Sequence, residues 1–190
     1  VKNMIIDKQD GRSAETKSIC QACILGKFRR LPFQTKRDPR QYHLCERIVF
    51  DTCGPLPVHS LEGERYFVTF TGDYSRYKST YLLKAKSESF LKFKEFKAQL
   101  ETMTGKQIKI MFSDNASVYV SNEFAAYLLE CGIQWQSTVP YCSQQNGIAE
   151  RGHLTIMNTA RSMLIESKLD KRFWGPAVLT TTVLHNICPH

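Results

Sequence analysis

A chain of 190 residues with a formal charge of +8 and 42% hydrophobic residues suits one medium domain with a small appendage, large enough to bury a substantial core. Seven cysteines, an odd number, exclude a tidy disulfide framework; with no leader pattern and no long apolar run, a reducing intracellular setting is expected. The basic excess is local, because Val1 to Cys45 holds 10 Lys/Arg against 4 Asp/Glu, whereas Glu46 onward holds 16 against 14.

Residues 1–40 are polar with little sustained periodicity, and read as the remnant of a small module followed by a basic linker through Pro32 and Pro39. "CQAC" gives Cys20 and Cys23 the thiolate spacing of half a tetrahedral zinc site. The block "KFRRLPFQTKRDPR", with Lys27, Arg29 and Arg30 close together, favours phosphate backbones through counterion release, or else is a solvated linker. From residue 41 the patterns become regular, and residues 41–190 are expected to form the main domain. "RIVFDTCGPLP" predicts a strand over Arg47 to Asp51, ended by Gly54, Pro55 and Pro57. "RYFVTFTGDYSR" and "YKSTYLLKAK" predict two more strands around a turn near Asp73 to Ser75, in an antiparallel meander.

Helical spacing takes over at Ser87, with Phe93, Phe96, Leu100 and Met103 on one face, Ser87 or Ser89 as the cap and Gly105 as the stop. A fourth strand ("QIKIMFSD"), a short helix ("SNEFAAYLLECG") and a fifth strand ("IQWQSTV") follow. A polar loop then leads into a long helix reaching about Ser167, with Ala149, Ile156, Met157, Ala160, Met163 and Leu164 on one face. A last helix spans Asp170 to about Asn186. The expected architecture is α/β, a mixed five-stranded sheet flanked by helices.

In this layout Asp51 ends the first strand, Asp114 follows the fourth, and Glu150 sits in the first turn of the long helix. Ends of strands and starts of helices beside a sheet are where α/β proteins collect functional groups. Three converging carboxylates repel one another unless cations neutralise them, and Mg²⁺ (magnesium) suits a few carboxylates plus water and phosphate oxygens. Glu150 also has a local reason for its place, since the helix dipole favours an anion in the first turn. His43, His59 and His153 read as surface or hydrogen-bonding groups rather than ligands.

"FDTCGPLP", "GDYSRY", "FSDN", "GIQWQSTVPY", "QQNGIAER", "ARSML" and "FWGPAV" occur in the order and spacing of retrotransposon integrases, and in detail the chain resembles the copia type. The resemblance covers nearly everything from Cys20 onward. It implies an RNase H-like core in which Asp51, Asp114 and Glu150 match the catalytic, metal-binding triad, thirty-five residues separating the last two. It implies two Mg²⁺ or Mn²⁺ ions, and metal-dependent 3′-end processing and strand transfer on DNA. It also makes Tyr141, Gln144, Gln145 and Asn146, with Arg151 just beyond, DNA contacts in a loop before the catalytic helix. Relatives of this kind act as multimers inside polyproteins that also carry protease and reverse transcriptase. They work in the nucleus or in cytoplasmic virus-like particles, with no membrane partner. They pair cysteines like Cys20 and Cys23 with two upstream histidines, which this chain lacks, so Zn²⁺ is expected only in a longer, intact protein. The absent initiator Met and the ending "HNICPH" likewise suggest a piece of something longer.

The chain departs from the family pattern at Ala116, Ser117 and Val118, at Cys142 and Ser143, and at Gly72. These departures keep a second reading open, a catalytically decayed or domesticated relic that still binds nucleic acid. A third, an RNase H-type nuclease, needs a fourth carboxylate, for which Asp73 is the nearby candidate.

Overall fold

The computed structural model describes residues 42–113, 122–137 and 147–188, without the side chains of 147–151. The expected N-terminal module and its linker lie outside these residues. Strand β1 (Arg47–Cys53) is bonded on both sides, antiparallel to β2 (Tyr66–Gly72) and parallel to β4 (Ile110–Ser113). The edges are β3 (Lys78–Leu83), antiparallel to β2, and β5 (Gln134–Ser137), parallel to β4, so the sheet order is β3-β2-β1-β4-β5. The short turns make the antiparallel half, and the parallel pairs require crossovers through helices. A mixed five-stranded sheet is therefore what the chain forms, as expected. Strand β1 runs on to Cys53, two residues past the expected end at Asp51.

Because β1 is central, its two faces meet different layers. Ile48 and Phe50 join Val68, Phe70 and Met111 under helices α1 (Ser89–Thr104) and α2 (Asn122–Glu130), which supply Phe93, Phe96, Phe124 and Leu128. On the other face Phe67 packs with Ile156 and Ala160 of α3 (Gly147–Ser167) and with Trp174, Ala177 and Val178 of α4 (Trp174–Ile187). Of the face predicted on α3, Ile156 and Ala160 are buried, Met157 and Leu164 pack against this core, and Met163 is half-buried. Ala149's side chain lies outside the described set.

Three local expectations are corrected. Helix α1 begins at Ser89, preceded by a 3-10 turn over Lys86–Glu88, and neither Ser87 nor Ser89 caps it: the Ser89 hydroxyl donates to the Lys86 carbonyl instead. Met103 is 82% exposed rather than packed. It lies about 20° around the helix from Phe96, so it stays on the stripe, but it falls in the last turn of α1, past the stretch whose residues are buried. The last helix is α-helical only from Trp174, after a 3-10 turn whose N-cap Asp170 accepts from the Arg172 amide. Gly105 does end α1, in the left-handed region at φ 65 with its N–H on the Glu101 carbonyl.

Gly54, in the "FDTCGP" stretch, explains itself. Its φ is +127, and a Cβ there would lie 2.6 Å from both the Arg65 carbonyl oxygen and Tyr66 Cδ1. Gly54→Ala is expected to cost about 1–3 kcal/mol through backbone strain, before counting the clash. A thermal melt indistinguishable from the native chain would contradict this.

Helix α4 covers the edge of β3. The Asn186 amide accepts from Lys78 N at 2.9 Å and donates to Lys78 O at 2.7 Å, and Thr182 donates to Thr80 at 2.9 Å. A side chain thus satisfies backbone groups that an edge strand otherwise leaves open. Asn186→Ala is expected to lower stability by about 1–3 kcal/mol, since both Lys78 groups lose their partner. A urea midpoint that stays put would show water replaces the amide without cost. Among the described residues no helix is long and apolar enough to cross a membrane.

Candidate functional site

Alternation along β1 sends Val49, Asp51 and Cys53 to the face covered by α3 and α4. Asp51 is thereby carried into the middle of the sheet opposite Thr69, and only 8% of it is exposed. An ionised carboxylate this buried needs a partner. His153, on the second turn of α3, supplies one: its Nδ1 lies 3.1 Å from Asp51 Oδ2, the two side chains being 13% and 12% exposed. The imidazole stands edge-on to the Phe67 ring with centroids 5.1 Å apart, so the ring is held from the sheet side as well. Helix α3 is in this way tied to β1 at Asp51.

Lys78, a buried residue of β3, reaches α3 at Gly152, where a Cβ would sit in contact with Lys78 Nζ at 3.4 Å. Burial, with Arg76 nearby adding to it, lowers the Lys78 ammonium from its ordinary range. The Cys53 thiol is pushed up by burial first and by the Asp51 charge second, which keeps it protonated at neutral pH.

Of the site residues expected from the sequence, Asp51 is described in full. Glu150 is placed only as backbone, in the first turn of α3 and three residues before His153. Its side chain and that of Arg151 lie outside the described set, as do Asp114, Tyr141, Gln144, Gln145, Asn146, Cys20, Cys23, Lys27, Arg29 and Arg30. Among the described residues no group of three His, Cys, Asp or Glu is arranged to hold a metal ion.

Of the two roles read for His153 in the sequence, surface group or hydrogen-bonding group, the structure shows the second: it is mostly buried and engaged at Asp51. Its signal was the three-residue spacing from Glu150, which puts both on one side of a helix. Asp73 does not serve as a fourth carboxylate. It pairs with Arg47 at 3.0 Å and Arg76 at 3.1 Å, and its N–H bonds the Arg47 carbonyl at the other end of β1. Four residues of strand put that end about 13 Å from Asp51. At Gly72 a Cβ would come within 2.6 Å of Ser75 Oγ, so this departure from the family pattern gives Ser75 its room. The other departures fall outside the described residues.

No protein-family model matches the chain. It is 42% identical over 170 residues to the retrovirus-related Pol polyprotein from transposon TNT 1-94 of Nicotiana tabacum, covering 90% of this chain and 13% of the relative. It is 28% identical over 174 residues to the Pol polyproteins from transposons RE2 and RE1 of Arabidopsis thaliana, covering 90% of this chain and 11% of each. Among solved structures it superimposes on a chain from a simian T-cell lymphotropic virus intasome with a TM-score of 0.61 and 15% identity, over 76% of this chain and 49% of that one. The chain therefore shares that chain's fold, the RNase H-like mixed five-stranded sheet flanked by helices expected from the sequence. The resemblance read from the motifs stands with it: this is an integrase-region chain of the retrotransposon Pol kind, spanning a small part of the Pol polyproteins it matches.

Proposed function

We propose that the chain is the catalytic core of a retrotransposon integrase, a polynucleotidyl transferase that processes the 3′ ends of element DNA and joins them to target DNA. The observation that carries this reading is the contact between His153 and Asp51. It seats the second turn of α3 over the central strand, and Glu150 is one helical turn back along α3. The register adds support for Asp114. Phe50 is partnered with Ser113, the last residue of β4, and Asp51 and Asp114 are the residues that follow these two in the sequence.

The donor chemistry suits a hard divalent cation, since carboxylate oxygens are what Mg²⁺ or Mn²⁺ takes. Asp51, Asp114 and Glu150 would hold two such ions, which when bound would stabilise the attacking and leaving oxygens of an in-line phosphoryl transfer. Around that centre the residues of this chain bind and orient DNA. Tyr141, Gln144, Gln145 and Asn146 contact the DNA end through a phenol and amides, and Arg151, Lys27, Arg29 and Arg30 contact phosphates. Water opens a phosphodiester near the 3′ end, and the freed 3′-hydroxyl then attacks a target phosphodiester, releasing a target 3′-hydroxyl. In the longer protein Cys20 and Cys23 would contribute to a Zn²⁺ site. The chain would act as a homo-oligomer on paired ends, after release from a polyprotein with protease and reverse transcriptase, in the nucleus or a cytoplasmic virus-like particle.

The test is a joining assay with a labelled duplex bearing element ends, a plasmid target, and Mg²⁺ or Mn²⁺. Labelled plasmid is the expected product. A chain that binds the duplex but yields no joined product with either ion favours the decayed relic instead.

A further inference from the structure

We propose that His153 is a positioning residue, which sets the plane of the Asp51 carboxylate for the divalent ions; this deepens the phosphoryl-transfer reading above and rests on it. A terminal carboxylate turns over a broad torsional range, so an Asp alone does not present its oxygens in one orientation. Here a donor with little freedom of its own meets Oδ2 at 3.1 Å. The imidazole is confined by Phe67 on one side, and its helix is anchored one turn further on by Ile156, which is fully buried. A hydrogen bond across this contact has Nδ1–H donating to the Asp51 carboxylate. The residue acts through Asp51 rather than on DNA. Groups that orient a metal-binding side chain in this way typically change metal affinity by about 10–100-fold when removed.

Packing alone would be a different explanation, and it predicts a different pattern. Replacing His153 alone by an apolar side chain leaves the buried Asp51 without this partner and lowers stability whichever role His153 has, so the melt does not decide between them. If His153 only fills space, His153→Leu, where it folds, keeps the site. If it orients Asp51, His153→Leu weakens the site, and His153→Asn, whose amide can donate from near the Nδ1 position, rescues it.

The experiment titrates the 190-residue chain with Mn²⁺ alone, following free Mn²⁺ by electron paramagnetic resonance, and pairs each titration with a thermal melt and a joining assay. Native chain, His153→Leu, His153→Asn and Asp51→Asn are compared. His153→Leu is expected to weaken Mn²⁺ binding roughly tenfold or more, and to slow joining at saturating DNA without raising the KM for DNA. His153→Asn is expected to bind Mn²⁺ within about threefold of the native chain. Native affinity in His153→Leu, or equal loss in both His153 variants with melts unchanged, overturns the inference. If His153→Leu fails to fold, the Asn variant decides alone, a loss of Mn²⁺ binding there counting against the role. Asp51→Asn separates the two levels: undiminished Mn²⁺ binding in that variant sinks the underlying integrase reading, whereas its loss beside a normal His153→Leu sinks only the role of His153.

Discussion

Asp51→Asn is expected to abolish DNA joining while leaving the domain folded. Asparagine has nearly the same shape, and its carbonyl oxygen still accepts from His153 Nδ1, so the tie between β1 and α3 persists. What disappears is the negative charge. On the proposed mechanism Asp51 is one of the carboxylates that would hold the ions, so neutralising it weakens their binding and the stabilisation they would supply. Losing electrostatic stabilisation of that kind lowers rates by about 10²–10³-fold or more. Stability should move little, or rise, because a carboxylate with 8% exposure is held at a desolvation cost in the absence of cations. Single-turnover joining and a melt on the same preparation provide both readings. Joining within severalfold of the native rate would remove Asp51 from the mechanism.

Phe70→Ala carries the largest expected loss of stability. Phe70 lies in β2 with no exposed surface. Its ring stacks on Phe96 at 4.6 Å and 11°, and lies 5.4 Å from Phe50, 5.8 Å from Tyr81 and 5.8 Å from Phe93. It therefore joins β1, β2, β3 and α1 through a single side chain. Truncating a buried phenylalanine costs about 3–5 kcal/mol, transfer and cavity together. Against a typical domain stability of about 5–15 kcal/mol, that is about a fifth of the total or more. Urea unfolding should show a much lower midpoint with a similar slope. A shift worth less than about 1 kcal/mol would mean that the surrounding rings close over the space.

The element types were legible because their causes are local. β-Branched and aromatic runs such as "RIVFD" and "YFVTF" make strands wherever they pair, and Phe93, Phe96 and Leu100 mark a helix by spacing. Local signals failed where the outcome depended on something distant. Met103 continues the stripe by number yet leaves the core, and Ser89 looks like a cap yet bonds backward to Lys86. The carboxylates divide in the same way. Asp51 stood out as a charge at the end of an apolar strand. Asp73 was only the nearby candidate for a fourth carboxylate, and Arg47, twenty-six residues away, engages it.

By itself the sequence determined the kinds of elements, their order along the chain and the family resemblance, because these follow from each residue's neighbours along the chain and from motif order. Only the tertiary structure decided which strand is central, that His153 meets Asp51, and that Asn186 and Thr182 close the edge at Lys78 and Thr80, 108 and 102 residues away. Such pairings leave no periodic trace in the chain. They are set when sheet and helices bury their apolar faces against each other, and the polar groups caught between them must then find partners across the layers.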